Sequence, residues 1–226
     1  MSKFDELGDD HWMSSHNTPI NKEAMKLSDV EKVDKIAEHF TEIMQLMGLD
    51  LNDASLKGTP KRVAKMYINE VFSGLNKKNA PKISLFPNNY QYNGMLVEKD
   101  IEVYSTCEHH FVPIIGKAHV AYMAGDEIIG LSKINRIVQF FSKRPQVQER
   151  LTIQVVEELK KVLNTDDVAC VIEAKHLCVS MRGIKDTKSV TVTGKYSGCF
   201  NTQAAVSYTH LRSPRDISGS RMPSSA

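Results

Sequence analysis

The strongest chemical signal in the sequence is a cysteine and two histidines within four residues, Cys107, His109 and His110. A cysteine and a histidine three residues apart can reach one metal ion from the same side of a turn, and zinc binds both cysteine sulfur and histidine nitrogen. His176 and Cys178 form a second group, which can offer one or two further ligands. Either group alone can also be an ordinary pair of buried side chains, but the presence of both favours a metal site.

The number of protein ligands separates two kinds of zinc site. A structural site uses four, whereas a catalytic site uses three and keeps a position for water, whose pKa the metal lowers to about 7. The two groups contain enough side chains for either kind, so their spacing leaves both open. Of the other cysteines, Cys170 lies in an apolar run and is predicted to be a small core residue, while the role of Cys199 stays undecided.

A second set of candidates is basic. The amino terminus of a helix carries partial positive charge and free N–H groups, and added lysine and arginine side chains make it a good cradle for an anion. The alternative for each of these residues is a solvated basic surface. The set comprises Ser132, Lys133 and Arg136 at the start of one predicted helix, Arg182 close to Cys178, and Arg62 and Lys65 on an earlier helix.

Glu149 follows Gln148 near the start of an otherwise apolar helix. An acidic side chain in the first turn interacts favourably with the helix dipole, by about 0.3–1 kcal/mol. Taken alone, Glu149 has this structural explanation.

Hydrophobic periodicity predicts two helices followed by a mixed segment of strands and helices. A capping box at Ser28 and Glu31 begins the first helix, and Thr59-Pro60 begins the second. From about residue 80, β-branched runs indicate strands and three-to-four spacing indicates helices. This order is typical of an α+β domain in which two helices cover one face of an antiparallel four-stranded sheet. The predicted elements are strands 94–106 and 114–124, helices 131–143 and 146–163, and strands 167–175 and 187–195.

Composition narrows the class of protein. The chain has 226 residues, of which 41% are hydrophobic and 25% charged, as in soluble globular proteins. The formal charge of +2 is too small to predict a nucleic-acid partner, and no apolar run approaches the roughly 18 residues of a membrane span, so we expect neither partner. Four cysteines and an amino terminus without an apolar secretory core favour reduced thiols and a cytoplasmic location.

We expect four segments along the chain. These are a flexible arm over residues 1–25, a helical region over 26–78, an α+β domain with the candidate metal ligands over 79–205, and an atypical, disordered tail over 206–226 that is rich in Ser, Arg and Pro.

Five ordered blocks of sequence closely resemble the GTP cyclohydrolase I family, over residues 28–205. The blocks are Thr-Pro-Lys-Arg-Val-Ala-Lys-Met-Tyr (59–67), Cys-Glu-His-His-Phe-Val (107–112), Gly-Leu-Ser-Lys-Ile-Asn-Arg (130–136), Arg-Pro-Gln-Val-Gln-Glu-Arg-Leu-Thr (144–152) and His-Leu-Cys-x-x-x-Arg-Gly (176–183). The resemblance implies the tunnelling fold, a homodecamer with active sites at subunit interfaces, and conversion of GTP to 7,8-dihydroneopterin triphosphate and formate, the entry step to folate and biopterin-type cofactors.

By position, the resemblance also implies roles for the candidate residues. Cys107, His110 and Cys178 match the ligands of a Zn²⁺ ion. His109 and His176 match the acid and base histidines, with His109 near N7 of the purine and His176 near the ribose. Histidine suits this role because its unperturbed pKa of about 6.5 lets it exchange protons near neutrality.

The remaining matches concern the substrate. A carboxylate that accepts from the guanine amino group and ring N–H rejects adenine, and arginine offers bidentate contacts to phosphate. Glu149, with Gln148 beside it, matches the guanine anchor; Arg62, Lys65, Lys133, Arg136 and Arg182 match triphosphate contacts; and Ser132 matches a neighbour of the ribose or phosphate.

Two other functions stay open at this stage. One is a tunnelling-fold enzyme that acts on another purine or pterin, such as a nitrile reductase with a cysteine nucleophile, which needs neither three zinc ligands nor the basic residues. The other is a non-enzymatic zinc scaffold, which predicts four protein ligands. After Phe200-Asn201-Thr202 the chain departs from the basic, acidic and aromatic ending of the family. This departure puts the last docking contacts and the stability of the oligomer in question, and leaves the site residues intact.

Overall fold

The computed structural model describes residues 15–202, and its first elements are helices. The predicted capping box is confirmed, because the Glu31 amide donates to Oγ of Ser28 at 3.2 Å and the Ser28 amide donates to Oε2 of Glu31 at 2.8 Å. The second helix carries Pro60 in its first turn, where the missing N–H leaves no gap. The helices are α1 at Asp29–Leu46 and α2 at Thr59–Met66, followed by a π-helical turn at Tyr67–Val71; 3-10 turns lie at Ala24–Lys26, Ser73–Leu75 and Lys77–Asn79.

A five-stranded sheet forms the centre of the described chain. The strands are β1 Leu85–Pro87, β2 Met95–Cys107, β3 Pro113–Met123, β4 Glu127–Ile129, β5 Pro145–Gln146, β6 Val168–His176 and β7 Thr191–Tyr196. In the main sheet the order is β5-β2-β3-β6-β7. The four predicted strands β2, β3, β6 and β7 pair antiparallel, whereas β5 adds two residues parallel to β2. A separate pair, β1 with β4, was not predicted, because strands of two or three residues are too short to show a period.

Two helices cover one face of this sheet. The third helix, α3 at Leu131–Ser142, packs against β2, and α4 at Gln148–Leu163 packs against β6 and β7. The predicted α+β class is therefore confirmed. Two short helices complete the described chain, α5 at Leu177–Ser180 and α6 at Cys199–Thr202.

The core lies between the helices and the sheet. Fully burying one aliphatic side chain stabilises the fold by about 1.5–3 kcal/mol. The buried side chains include Ile134, Ile137 and Val138 of α3, Leu151, Val155 and Leu159 of α4, and Val103, Val120 and Ile172 of the sheet. Cys170 belongs to the same core, as predicted, and burial raises the pKa of its thiol to about 12, so it stays protonated.

The amino-terminal segment of the described chain contacts α4. The side chain of Arg150 donates to the carbonyl oxygen of Ser15 at 3.1 Å, and that of Gln154 donates to the carbonyl oxygen of His16 at 2.9 Å. The arm predicted over residues 1–25 lies partly, and the tail predicted over 206–226 wholly, outside the described residues. Between residues 15 and 202 no helix is both long enough and apolar enough to cross a bilayer.

Candidate active site

The termini of three neighbouring strands, β2, β3 and β6, meet at one end of the sheet. β2 ends at Cys107, β3 begins at Pro113, and the register pairs Thr106 with Pro113. On the other side of β3, Ile114 pairs with His176, the last residue of β6. Antiparallel pairing therefore brings the Cys107 segment and the His176 segment together, although they are about 70 residues apart in the chain.

A tight turn connects β2 to β3 and carries half of the candidate site. The Cys107 amide donates to the Val112 carbonyl at 2.8 Å, and the Phe111 amide donates to the Cys107 carbonyl at 2.9 Å. Phe111 has a φ of 54°, a left-handed conformation that few non-glycine residues adopt. The Glu108 amide donates to the Gln146 carbonyl of β5 at 3.0 Å. These bonds fix the turn from which His109 and His110 project.

Three side chains converge as a possible metal-ligand set. The ligand atoms of Cys107, His110 and Cys178 all lie within 4.8 Å of one another, and Sγ of Cys107 is 3.9 Å from Nδ1 of His110. In tetrahedral zinc sites with these ligands, neighbouring donor atoms are about 3.5–3.8 Å apart. Nδ1 of His109 is also 3.8 Å from the Cys107 sulfur, but His109 does not share the group with Cys178. The arrangement favours His110 over His109 as a ligand.

The chemistry of the two thiols also fits a bound cation. Burial, together with the neighbouring Cys107 thiol, raises the pKa of the Cys178 thiol. Two thiolates side by side repel each other, and a divalent cation between them removes that penalty because thiolate is the form that binds the metal. A zinc ion therefore fits the donor set.

Two of the possible ligands, Cys107 and Cys178, lie on the wall of a cavity of about 450 Å³. This volume is in the range of small-molecule sites, and both polar and apolar groups face it. The lining residues are Cys107, His109, Ile114, Gln146, Val147, Gln148, Glu149, His176 and Cys178. Both predicted acid and base histidines and both predicted guanine-binding residues therefore share one cavity with the thiols.

His176 is held by the start of α4. Its Nε2 lies 2.8 Å from Oε1 of Gln148, which is buried at 1% exposure. The amide nitrogen of Gln148 donates to the carbonyl oxygens of Ile172 and Thr191 and to Oγ1 of Thr193. Protein partners therefore occupy the whole side-chain amide of Gln148.

Electrostatics around His176 act in two directions. Burial lowers its pKa, and the negative charge of Glu149 partly opposes that shift. Glu149 is itself exposed where it lines the cavity. A histidine that is mostly neutral near pH 7 can accept a proton there, which suits a base.

Sequence reasoning missed a buried ion pair behind the turn at residues 107–112, which carries two of the possible metal ligands. Both terminal nitrogens of Arg150 contact the carboxylate of Glu108, and Nη2 lies 3.2 Å from Oε1. Both residues stand inside recognised motifs, between residues with assigned chemistry. That position is the only signal the sequence offers for them.

The predicted phosphate contacts are not all brought together. Arg182 reaches the candidate ligand set, with Nη1 2.8 Å from Nε2 of His110. Lys133 and Arg136 line a different groove of about 520 Å³, together with Lys82 and Lys143. Among the described residues, its lining includes four cations and no acidic side chain. Three further candidates line neither cavity and are exposed: Ser132 on α3, and Arg62 and Lys65 on α2.

A larger cavity, of about 930 Å³, lies between the amino-terminal segment and α4. His16, Arg144 and Gln154 are among the residues that line it, but none of the possible metal ligands does. The candidate site is therefore the smaller cavity, which Cys107 and Cys178 line.

Comparison with known proteins gives a consistent result. The family model described as GTP cyclohydrolase I matches residues 36–214, which extends into the segment 206–226. The protein named GTP cyclohydrolase 1 from Flavobacterium johnsoniae is 58% identical over 197 residues, covering 87% of this chain and 88% of the relative. The proteins of the same name from Erwinia tasmaniensis and Yersinia enterocolitica are 52% and 50% identical over 198 residues, covering 88% of this chain and 90% and 89% of their own lengths.

Proposed function

We propose, because the chain belongs to the GTP cyclohydrolase I family, that it opens the guanine ring of GTP at C8 and yields 7,8-dihydroneopterin triphosphate and formate. The observation that carries this proposal is the single cavity that joins the possible ligands Cys107 and Cys178 to His109, His176 and Glu149. This combination can bind a metal, exchange protons and recognise a purine.

Zinc is the proposed cofactor, held by Cys107, His110 and Cys178. Three protein ligands leave a fourth position, where zinc supplies activation of a water molecule near neutral pH. Within residues 15–202 the group contains three possible ligands, and this count supports an enzyme over a zinc scaffold with four protein ligands. The thiolate ligands also need reduced cysteines, which supports a reducing compartment such as the cytoplasm.

His109 and His176 are the proposed proton carriers. Hydrolysis at C8 needs a proton at N7, because protonation makes the adjacent carbon more electrophilic, and His109 is proposed to donate it. Loss of C8 as formate and rearrangement of the sugar need further proton transfers near the ribose, which we assign to His176. The fixed contact with Gln148 keeps the His176 ring in one orientation for these steps.

Glu149 is the proposed guanine anchor. Its carboxylate can accept hydrogen bonds from the guanine amino group and ring N–H, whereas adenine offers no matching pair of donors. The sequence also suggested Gln148 as a substrate contact, but its amide already has protein partners. We therefore propose that Gln148 acts by holding His176 and that Glu149 binds the base.

The triphosphate is proposed to contact basic residues from more than one chain. Arg182 lies next to the ligand set of its own chain, whereas Lys133 and Arg136 line a separate groove. A second copy that places this groove over the cavity would complete the anion site, with Ser132, Arg62 and Lys65 as further candidates at its rim. The proposed homodecamer provides such copies, and β7, at one edge of the sheet with Val192 exposed, offers a surface for assembly.

The reaction itself tests this function. Purified protein loaded with zinc and incubated with GTP should release one formate per GTP and, after oxidation, a fluorescent neopterin. Cys178→Ser should lose both zinc and product, while Cys199→Ser, a cysteine outside the cavity, should keep both. A zinc-loaded protein that releases no formate would refute the proposal. Light scattering should give a particle of about ten times the 25.4 kDa chain mass, and a monomer with full activity would refute the shared site.

A further inference from the structure

We propose that Arg150 and Glu108 are positioning residues for the turn at residues 107–112, the proposed metal-binding turn. Their buried ion pair holds this turn in the geometry that binds zinc. This inference rests on the proposed zinc site. It gives a role to two residues that neither line the cavity nor belong to the possible ligand set. Arg150 belongs to the first turn of α4, and Glu108 lies directly between Cys107 and His109.

The contact has the geometry of a strong, directional pair. The two terminal nitrogens of Arg150 contact the two carboxylate oxygens of Glu108, and the remaining donor, Nε, bonds to the Ser15 carbonyl at 3.1 Å. Such bidentate pairs fix orientation as well as distance. The side chain of Arg150 is 1% exposed and that of Glu108 is 19% exposed, so solvent screens the pair weakly.

Arg150 stands where a cation is otherwise unfavourable. The first turn of a helix carries partial positive charge, which repels an arginine. A buried guanidinium also loses its hydration, so it needs a carboxylate and further acceptors. Glu108 and the Ser15 carbonyl meet that need.

Fold stability alone does not account for this pair. Buried ion pairs can often be replaced by apolar side chains with little loss of stability, because desolvation offsets the attraction between the charges. The ion pair also restrains the turn, because of where Glu108 lies. Its backbone amide is fixed to Gln146 of β5 and its carboxylate to α4, so the residue is held at both ends. Cys107 on one side and His109 on the other are then limited in where they can point.

The first turn of α4 thus contacts or lines several parts of the site. Three consecutive residues act on different parts of it: Gln148 contacts His176, Glu149 lines the cavity, and Arg150 contacts Glu108. Because one helix turn fixes their relative positions, the metal-binding turn and the proposed proton carrier are held in a common frame.

The decisive variant is Glu108→Gln, which keeps the size of the side chain and removes its charge. Zinc affinity, measured by competition with a chromophoric chelator, should fall about 10–100-fold, as is usual when a group that orients metal ligands is lost. With GTP as substrate, kcat should fall while KM changes little, because the guanine and phosphate contacts remain. Unchanged zinc affinity in this variant would overturn the inference.

A double variant separates positioning from charge balance. Glu108→Gln with Arg150→Met removes both charges, so the thermal midpoint should recover relative to Glu108→Gln alone. Zinc affinity should stay low, because the link between α4 and the turn is still missing. Recovery of wild-type zinc affinity in the double variant would show that the pair only balances charge, and would also overturn the inference.

Lys160→Gln is the matched control. Lys160 lies on the same helix and forms ion pairs with Glu157 and Asp166, away from the turn. Removing its charge should therefore leave zinc affinity unchanged. The wild-type protein distinguishes the two proposals. If wild type binds no zinc or releases no formate, the proposed function fails; if wild type does both and Glu108→Gln matches it, only the positioning role fails.

Discussion

Oε1 of Gln148 lies 2.8 Å from Nε2 of His176, while the amide nitrogen of the same side chain donates to the carbonyl oxygens of Ile172 and Thr191 at 2.9 and 3.0 Å. These two carbonyls accept only, so they fix which end of the amide faces the histidine. Oε1 in turn accepts only, so Nε2 of His176 carries the ring proton. In the neutral ring, Nδ1 is then the nitrogen that can accept a proton.

Gln148→Met should therefore slow the reaction more than it weakens substrate binding. We expect kcat to fall about 10²-fold, the lower end of what a well-placed acid or base contributes, with KM for GTP nearly unchanged. Steady-state kinetics with GTP measures both. Thr193→Val is the control, because it removes the two hydrogen bonds that Oγ1 of Thr193 makes with Gln148 and Thr152 and leaves the contact with His176 in place. An equal fall in kcat for the two variants would contradict a specific role of Gln148.

The two adjacent histidines should respond differently to replacement. His109→Ala should keep one zinc per chain and lose about 10²–10⁴-fold in kcat, because it removes a proton donor and no ligand. His110→Ala should lose zinc. Elemental analysis of the purified variants measures the zinc content of each. The result discriminates between the two histidines, whose Nδ1 atoms are about equally close to the Cys107 sulfur, at 3.8 and 3.9 Å. Zinc loss in His109→Ala with retention in His110→Ala would reverse the assignment.

Much of the local structure was predictable from the sequence. Periodicity predicted both covering helices and the four central strands to within a few residues, because those elements are long and strongly patterned. These elements are features that neighbouring residues determine. The family resemblance, and not the local spacing, predicted Cys107, His110 and Cys178 as ligands, and the fold brings these three side chains together.

Contacts across the fold were less predictable. Nothing in the spacing of Glu108 and Arg150 shows that they meet, because tertiary packing brings the start of α4 against the turn. The full engagement of Gln148 likewise depends on Thr191 and Thr193, more than 40 residues away. The sequence of α3 likewise does not show that Lys133 and Arg136 line a groove separate from the candidate site, because the packing of α3 against other segments determines it.

Glu149→Gln should weaken recognition of guanine. The amide keeps one acceptor but presents a donor where guanine also donates, so one charge-assisted hydrogen bond is lost, worth about 1.5–3 kcal/mol. We expect kcat/KM for GTP to fall about 10–100-fold. Glu157→Gln, an exposed carboxylate further along α4, should leave kcat/KM near the wild-type value. If Glu149→Gln retains wild-type kcat/KM, the base is anchored elsewhere.

His119 should make stability depend on pH. It is 5% exposed, and its Nδ1 accepts from the Asp100 amide at 3.2 Å. Burial lowers its pKa below 6.5; the nearby charges of Asp100 and Glu173 oppose this shift, and those of Lys99 and Lys117 add to it. The unfolded chain thus binds the proton more readily than the folded chain. The stabilisation is complete above pH 6.5 and is lost as the pH falls through 6.5 towards the lower folded pKa.

Urea unfolding at pH values on both sides of 6.5 measures this effect. His119→Asn keeps an acceptor for the Asp100 amide and removes the titrating ring, so its free energy of unfolding should fall less on acidification than that of the wild type. The other histidines are present in both proteins, so the difference between them isolates His119. Identical pH dependence in the two proteins would contradict this explanation.

Zinc X-ray absorption spectroscopy on the zinc-loaded protein without substrate counts the ligands of the metal directly. We expect two sulfur ligands at about 2.3 Å, one histidine nitrogen at about 2.0–2.1 Å and one light atom from solvent. Cys178→Ser should leave no more than one sulfur on any zinc that remains bound. A shell of four protein ligands in the wild type, or a shell with a single sulfur, would contradict a catalytic site built from Cys107, His110 and Cys178.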